Sequence, residues 1–463
     1  MDIKTLQSRI AGTVTLSSDP AYEQLRRDMV WHELKPTRRP AAIVQVANEQ
    51  DVVESVRFAR EQNLNVAVHG AGHNWCGFSL RDGSLMIDLG RLTNYSIDRE
   101  KRTAWIQPIV RSRDFNRELY AQGLAFPVGH CPTVPLGGFL LNGGLGWNSN
   151  AWRPGCYSVE AMDIVTADGN LVRASETENP ELLWAAHGCG PGFFGVITKL
   201  SLKLRPLPGG IRTTTHYYPV QKSVEVGEWF STVIGKLPED VEVLIFFAPA
   251  PADLAAQAKS GNGYVCILSA TSFLDTEKES SAALSVLDGA PAALECLKKE
   301  ANQPTTVDAL LEFGSQLWPE RHRYVSDTVW TNVPAPELLR PLRDHFLKAP
   351  SSKSLGTVWF STGPNGVASP QPDAAYSMGG RNLTLCYAIW EGPEGDAAHV
   401  GWHDQMMAAL EPIAVGHYVG ESEIVRRPHH HERSFAQPNW ERLKQLRKKY
   451  DPDGLFLGPF TRG

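Results

Sequence analysis

The chain has 463 residues, 42% of them hydrophobic and 21% charged, with a formal net charge of −6. Those figures fit a soluble globular protein that can bury its core without disulfides or structural metals, and the length favours two domains. No Lys/Arg block would track phosphates, no run approaches the ~18 apolar residues that span a bilayer, and the opening MDIKTLQSRIAGTV lacks a signal-like apolar stretch, so neither nucleic acid nor a membrane is an expected partner.

In chain order, AAIVQVAN (41–48) predicts a strand and EQDVVESVRFAREQ (49–62) a helix whose acids lead and arginines trail, as the helix dipole favours. NVAVHG is a short strand entering the glycine turn GAGHNWCG. SLMIDLGRL and TAWIQPIV are further strands, and SRDFNRELYAQGL is a helix stopped at Gly123. The segment GGFLLNGGLGW (137–147) is so dense in glycine and apolar residues that it must pass close to something. VEAMDIVTADGNLVRA predicts a hairpin turning at Asp168-Gly169. A helix around ELLWAAHG leads to a glycine turn and the long strand VITKLSLKL, and PLPGG (206–210) marks a domain boundary.

Beyond the boundary, strands (VEVLIFFAPA, GYVCILSATSF, GTVWFSTGP, NLTLCYAIW) alternate with amphipathic helices (SVEVGEWFSTVIGKL, TEKESSAALSVL, PELLRPLRDHFLKA, AAHVGWHDQMMAALEPI). The expected fold class is α+β, an antiparallel sheet with helices on one face. The tail WERLKQLRKKYDPDGLF predicts a helix that folds back on the first domain. Seven cysteines (76, 131, 156, 189, 266, 296, 386) lie scattered without CxxC pairing, which reads as reduced thiols in a cytoplasmic protein. The run His429-His430-His431 reads as a solvated loop rather than a metal site.

Gly190, Gly192 and Gly195 spell GxGxxG, yet a β-rich segment follows where a dinucleotide-binding helix should stand, and no acid appears about 20 residues on. Four glycine-bearing segments (70–77, 137–138, 143–146, 188–195) suggest instead a long diphosphate cofactor lying across several turns, since glycine admits close backbone approach.

VHGAGHNWCGF, HCPTVPLGGFLLNGGLGW, VEAMDIVTADGNLVRASETENPELLWAAHGCGPGFFGVITKLSLKL and the closing PNWERLKQLRKKYDPDGLF together resemble the FAD-linked oxidases of the berberine-bridge-enzyme-like family, within the vanillyl-alcohol oxidase/p-cresol methylhydroxylase (PCMH) superfamily. The resemblance implies a PCMH-type fold with a discontinuous FAD-binding domain (1–207, with 415–463 returning to it) and an antiparallel-sheet substrate domain (208–414). It implies FAD bonded to the imidazole of His73 and, through the matching Cys-Pro-Thr-Val, to the thiol of Cys131. It also implies cofactor contacts from His69, Gly70, Ala71, Gly72, Asn74, Thr133, Gly137, Gly138, Asn142, Gly143, Gly144, Gly146, Trp147, Gly195, Val196 and Asn439.

A neighbouring cation or amide cluster is expected to lower the Cys131 pKa. Val134 stands where the family gates oxygen, a small residue admitting it, and Pro135 replaces the usual glycine. Tyr418 matches the family's Tyr-x-Asn, Gly420 replaces its asparagine, and Glu421 falls at an active-site position. Tyr418 and Glu421 are therefore base candidates, and His130 should face the substrate. Leu457-Gly458-Pro459-Phe460 replaces an asparagine-rich closing motif.

The implied activity is oxidation of a small organic molecule (alcohol, phenol, sugar or secondary metabolite), with molecular oxygen giving hydrogen peroxide. Alternatives are a dehydrogenase using another acceptor and a non-catalytic flavin-binding protein. Trp359, Phe360, Tyr376, Tyr387 and Trp390, near the expected roof, favour an aromatic or polycyclic substrate.

Overall fold

A computed structural model describes residues 3–362 and 373–459. Near the N-terminus a four-stranded sheet runs in the order Thr13–Leu16, Ala42–Gln45, Leu85–Asp88, Val66–His69. The last three strands are parallel and the first is an antiparallel edge. The helix Glu49–Glu61 makes the crossover. Its N-cap is Asn48, whose side chain accepts from the Asp51 amide, and Val52, Val56 and Phe58 on its inner face are fully buried. A second, antiparallel sheet holds the expected hairpin Val159–Thr166/Leu171–Ser175, with Gly169 at a φ of +76° in its turn, and the long strand Gly195–Lys203. A strand, not a helix, thus follows the GxGxxG segment.

The tail returns as expected. The helix Gln437–Tyr450 ends at Asp451, whose carboxylate accepts from the Leu455 and Phe456 amides. Val66 then donates to Leu455 O at 2.8 Å and Leu457 donates to Val66 O at 2.8 Å, so the tail joins the strand that leads into the first glycine turn. Phe460 of the replaced closing motif lies outside the described residues.

The other large element is an eight-stranded antiparallel sheet. Its order is Lys298–Pro304, Arg212–Pro219, Tyr264–Ser272, Val241–Pro249, Leu355–Phe360, Asn382–Trp390, Arg323–Thr331, Ala414–Gly416. Alternation divides its side chains between two cores. Val243, Ile245, Phe247, Val358, Phe360 and Trp390 pack beneath the helices Ser223–Val233, Ala335–Phe346 and Asp396–Leu410. Leu244, Phe246, Leu355, Trp359, Leu383 and Tyr387 face the other way, into the core that also holds Leu140, Trp147 and Tyr418. Burial of each such side chain contributes about 1.5–3 kcal/mol, so both faces are strongly specified.

Four strands of this sheet exceed the expected pattern, Arg212–Pro219, Lys298–Pro304, Arg323–Thr331 and Ala414–Gly416, as does the helix Val307–Leu317. Two aromatics expected in the roof lie on the wrong face. Phe360 stacks edge-on with Phe230 of an outer helix, and Trp390 donates its indole N–H to Asp396. Only Trp359 and Tyr387 of that group line the cavity beneath the sheet. Among the described residues no helix is long and apolar enough to cross a membrane.

Candidate active site

A cavity of about 360 Å³ lies between the glycine-bearing segments and the large sheet. Its floor begins at the first glycine turn. His69, at the end of its strand, is anchored through both ring nitrogens, to Asp88 Oδ1 and to Met29 O, each at 2.9 Å. Gly72 has a φ of +73°, and a Cβ there would lie 2.6 Å from Met29 O. The turn therefore requires glycine on two counts.

His73 follows, stacked on Trp31 at 5.3 Å and hydrogen bonded to the backbone of Thr133. Burial lowers its pKa to about 4, which keeps the imidazole neutral at physiological pH. The Thr133 contact brings the first turn against the Cys131 loop, where Sγ lies 3.5 Å from Thr133 Oγ1. The expected depression of the Cys131 pKa is not found. Burial raises it, and hydrogen bonds from Thr133 and from the Val134 backbone pull only partly the other way.

The helix Leu136–Leu141 continues the floor. Pro135 is its N-cap, with φ −78° and ψ 149°, values at home for proline, so the exchange for glycine leaves no strain. A Cβ on Gly137 would lie 2.5 Å from Pro108, whereas Gly138 has nothing within 4 Å. Asn142 Nδ2 donates to Gly138 O at 2.6 Å, and its Oδ1 is buried with no partner. A floor of bare backbone with an unpaired amide oxygen suits a large ligand rich in hydrogen-bonding groups.

His69, Gly70, Ala71, Gly72, His73, Asn74, His130, Cys131, Val134, Gly137, Gly138, Asn142, Gly146, Trp147, Gly195, Tyr418 and Glu421 all line the cavity. Five expected residues do not. Thr133 contacts Cys131 Sγ through its hydroxyl, Gly143 (φ +92°) packs under the Tyr376 ring and Gly144 (φ +77°) against the Phe139 ring. Val196 is fully buried in the core around the first sheet. Asn439 donates to Ala374 O at 2.7 Å.

Glu421 stands opposite the floor. Trp75 Nε1 and the Tyr387 hydroxyl both donate to its Oε2, at 2.9 and 2.6 Å. Burial raises its pKa, although those two donors oppose the shift. Tyr418 takes a different part: its hydroxyl accepts from the Leu145 amide at 3.4 Å, and burial raises its pKa. A Cβ on Gly420 would lie 2.7 Å from the Tyr418 ring, so glycine at the family's asparagine position lets that ring fold over. His130 lies 4.2 Å from Trp147 and donates from Nε2 to Glu242 Oε1 at 2.8 Å, while Glu242 Oε2 accepts from the Asn148 amide at 2.9 Å. One buried carboxylate of the sheet thereby ties down two parts of the floor.

Residues 40–175 match the FAD binding domain family model. An FAD-linked oxidoreductase of Hypoxylon pulicicidum, nodO, is 28% identical over 94% of both chains. Xylooligosaccharide oxidase of Thermothelomyces thermophilus is 24% identical over 91% of this chain and 86% of its own. In structure, BBE-like 1 of Physcomitrella patens superposes with a TM-score of 0.83 at 16% identity, covering 99% of this chain and 98% of the other. The chain has the fold of the BBE-like proteins and is an FAD-linked oxidoreductase.

In this FAD-linked oxidoreductase several cavity residues are not among those the sequence singles out. Trp75 carries only the signal of lying two residues past His73. Glu242 is the lone acid in an apolar strand, VEVLIFFAP, at an inward position, a pattern that could have singled it out. The helix Val307–Leu317 was also legible in retrospect: Thr306 caps it by accepting from the Ala309 amide, and Val307, Leu310, Leu311 and Gly314 form its buried stripe. The histidine run needs correcting too. It forms a short helix in which His430 and His431 are buried. The His430 ring stacks on His417 at 3.6 Å and bonds Asp327, whose carboxylate also accepts from Arg427 at 2.9 Å. Asp327, His417 and His430 lie close enough to hold an ion, but Arg427 already supplies the compensating cation.

Proposed function

We propose that this enzyme oxidises a small organic substrate using FAD bonded to both His73 and Cys131, with Glu421 as the base. The carrying observation is that both donors to Glu421 bind Oε2. Oε1 is then the oxygen left for a substrate hydroxyl, in the cavity that His73 and Cys131 also line.

On this reading the cofactor-binding unit spans 1–207 and 415–463, and the large sheet of 208–414 covers the substrate. The neutral His73 imidazole is a competent nucleophile as it stands. Cys131 must first lose its proton, for which Thr133 and the Val134 backbone offer partial stabilisation. The floor from 70 to 74 and from 137 to 142 would hold the rest of the cofactor. When bound, FAD supplies the hydride acceptor and passes the electron pair to molecular oxygen, giving hydrogen peroxide.

The protein's own work is to place the substrate and move one proton. Trp75 and Tyr387 fix the Glu421 carboxylate, and the raised pKa makes it a stronger base than an exposed glutamate. Glu242 fixes the His130 ring through Nε2, at the edge of the same cavity. Val134, small and in the cavity wall, supports the oxidase reading over a dehydrogenase. Seven free thiols fit a reducing, cytoplasmic setting.

Intact-mass spectrometry tests the linkage. Wild type should carry one FAD, and His73→Ala and Cys131→Ala should each keep it through acid precipitation by the remaining bond. The double variant with Cys131→Ala should show only the polypeptide mass. A bare wild-type chain would sink the reading.

A further inference from the structure

The ceiling of the cavity states more about the substrate than its size does. Cross-strand register sets its side chains in rows. Leu244, Trp359 and Leu383 form one, and Phe246, Thr357 and Leu385 form the next. The helix Val307–Leu317 closes one flank with Leu310 and Phe313. Within this hydrocarbon surface Thr357 is the exception. It is 4% exposed and lines the cavity, and its Oγ1 is buried with no partner. Trp318, just past the helix, also lines the cavity with its indole N–H buried and unpartnered. A buried hydroxyl left unpaired is destabilising, so a threonine here, where valine would fit the same space, calls for a ligand atom.

Thr357 pairs with Leu385, two residues from Tyr387 on the neighbouring strand. Such diagonal neighbours stand roughly 7–8 Å apart, and Tyr387 is the residue that holds Glu421. Two polar positions are therefore separated by apolar surface.

We propose that the substrate is a hydrocarbon-rich, multi-ring alcohol with two polar groups, the reacting hydroxyl at Glu421 and a second oxygen at Thr357, with Trp318 as a further donor. This rests on the base assignment above for the first group only. A sugar is disfavoured because it carries a hydroxyl on nearly every carbon, and the leucines and phenylalanines of the ceiling and flank could pair none of them.

The test measures binding, through perturbation of the flavin absorbance of the holoenzyme under anaerobic conditions, and so does not require turnover. The probes are androstanediol, androstanol, tricyclic and pentacyclic diols, and xylobiose. Polycyclic diols should bind at least tenfold more tightly than xylobiose. Thr357→Val should weaken diol binding about tenfold and leave the mono-ol unchanged, and Thr357→Ser should restore it. Tighter binding of xylobiose, binding of no polycyclic alcohol, or equal effects of Thr357→Val on diol and mono-ol would overturn the proposal. Diol binding without bleaching of the flavin would uphold it while counting against Glu421 as base.

Discussion

On one side of the cavity, the turn at 70–74 and the helix Leu136–Leu141 let backbone come close to a ligand by leaving side chains out. On the other, the strands Val241–Pro249, Leu355–Phe360 and Asn382–Trp390 offer side chains alone, because their backbone groups are spent on the ladder. The floor is therefore conformationally exacting and chemically general, as suits a cofactor. The ceiling is conformationally ordinary and chemically particular, as suits a substrate. Substitutions should consequently act through folding and cofactor retention below, and through rate and selectivity above.

The sharpest test of that division is Glu421→Gln. The amide keeps the shape and a partner for Trp75 but cannot take a proton. A fall in flavin-reduction rate of about 10²–10⁴-fold is expected, with bound FAD and melting temperature little changed. A base acts in its ionised form, and burial raises the Glu421 pKa. The wild-type rate should therefore fall as pH drops through a value above the ordinary carboxylate range, and the glutamine variant should lose that acid limb. A variant with near-normal rate would shift the role of base to His130.

Next in size is a matched pair. Gly72→Ala places a Cβ 2.6 Å from Met29 O at a φ of +73°. The left-handed conformation alone costs about 1–2 kcal/mol, and relieving the overlap must displace the turn that bears His73. A clear drop in melting temperature together with loss of bound FAD should follow. Leu385→Met in the ceiling conserves volume and should cost less than about 1.5 kcal/mol, with FAD retained and substrate selectivity altered. Equal losses of stability would erase the distinction between the two sides.

The same division explains what could be read in advance. The floor was legible because its demands fall on residue type: glycines at 70, 72, 137 and 138, and a histidine and a cysteine in motifs that stand in order along the chain. Even there a one-residue error of facing went unseen, since Gly195 lines the cavity while Val196 points into the core. The ceiling was legible only as strands. Both faces of a sheet buried on both sides are apolar, so alternation does not tell Trp359 from Phe360, and Phe360 and Trp390 were assigned to the wrong one. The edge strand Lys298–Pro304, KKEANQP, has no apolar pattern and is held by its neighbour's backbone. Tertiary pairings such as Glu242 with His130, 112 residues apart, leave only the faint mark of a lone inward acid.

That pairing offers a way to couple the two sides. Glu242→Gln keeps one acceptor but removes the charge behind its bonds to His130 Nε2 and the Asn148 amide. Charge-assisted hydrogen bonds contribute about 1.5–3 kcal/mol. A loss of that order should appear in thermal melts, accompanied by a changed pH profile for flavin reduction because His130 is no longer held. A stability loss with an unchanged pH profile would reduce Glu242 to a structural tie between floor and ceiling.

The smallest effect is expected where the two sides meet in solvent. The helix Val307–Leu317 flanks the cavity with Leu310 and Phe313. Its outer face is joined to the floor-side helix Ser112–Ala121 by Arg117 with Asp308 at 2.9 Å and by Arg113 with Glu312 at 2.9 Å. More than half of the Arg117 side chain is exposed, as are large parts of Asp308 and Glu312, so water and salt screen both pairs. Exposed pairs contribute roughly 0.2–1 kcal/mol. Arg117→Ala should therefore leave the melting temperature within about 2 °C, and added salt should do no more in wild type. The apolar stripe that seats the helix, not the ionic fringe, holds it in place. Leu311→Ala, at a fully buried position, should accordingly cost about 2–5 kcal/mol. If removing the arginine cost as much as removing the leucine, the flank would be an electrostatic latch, and substrate affinity would then fall with rising salt.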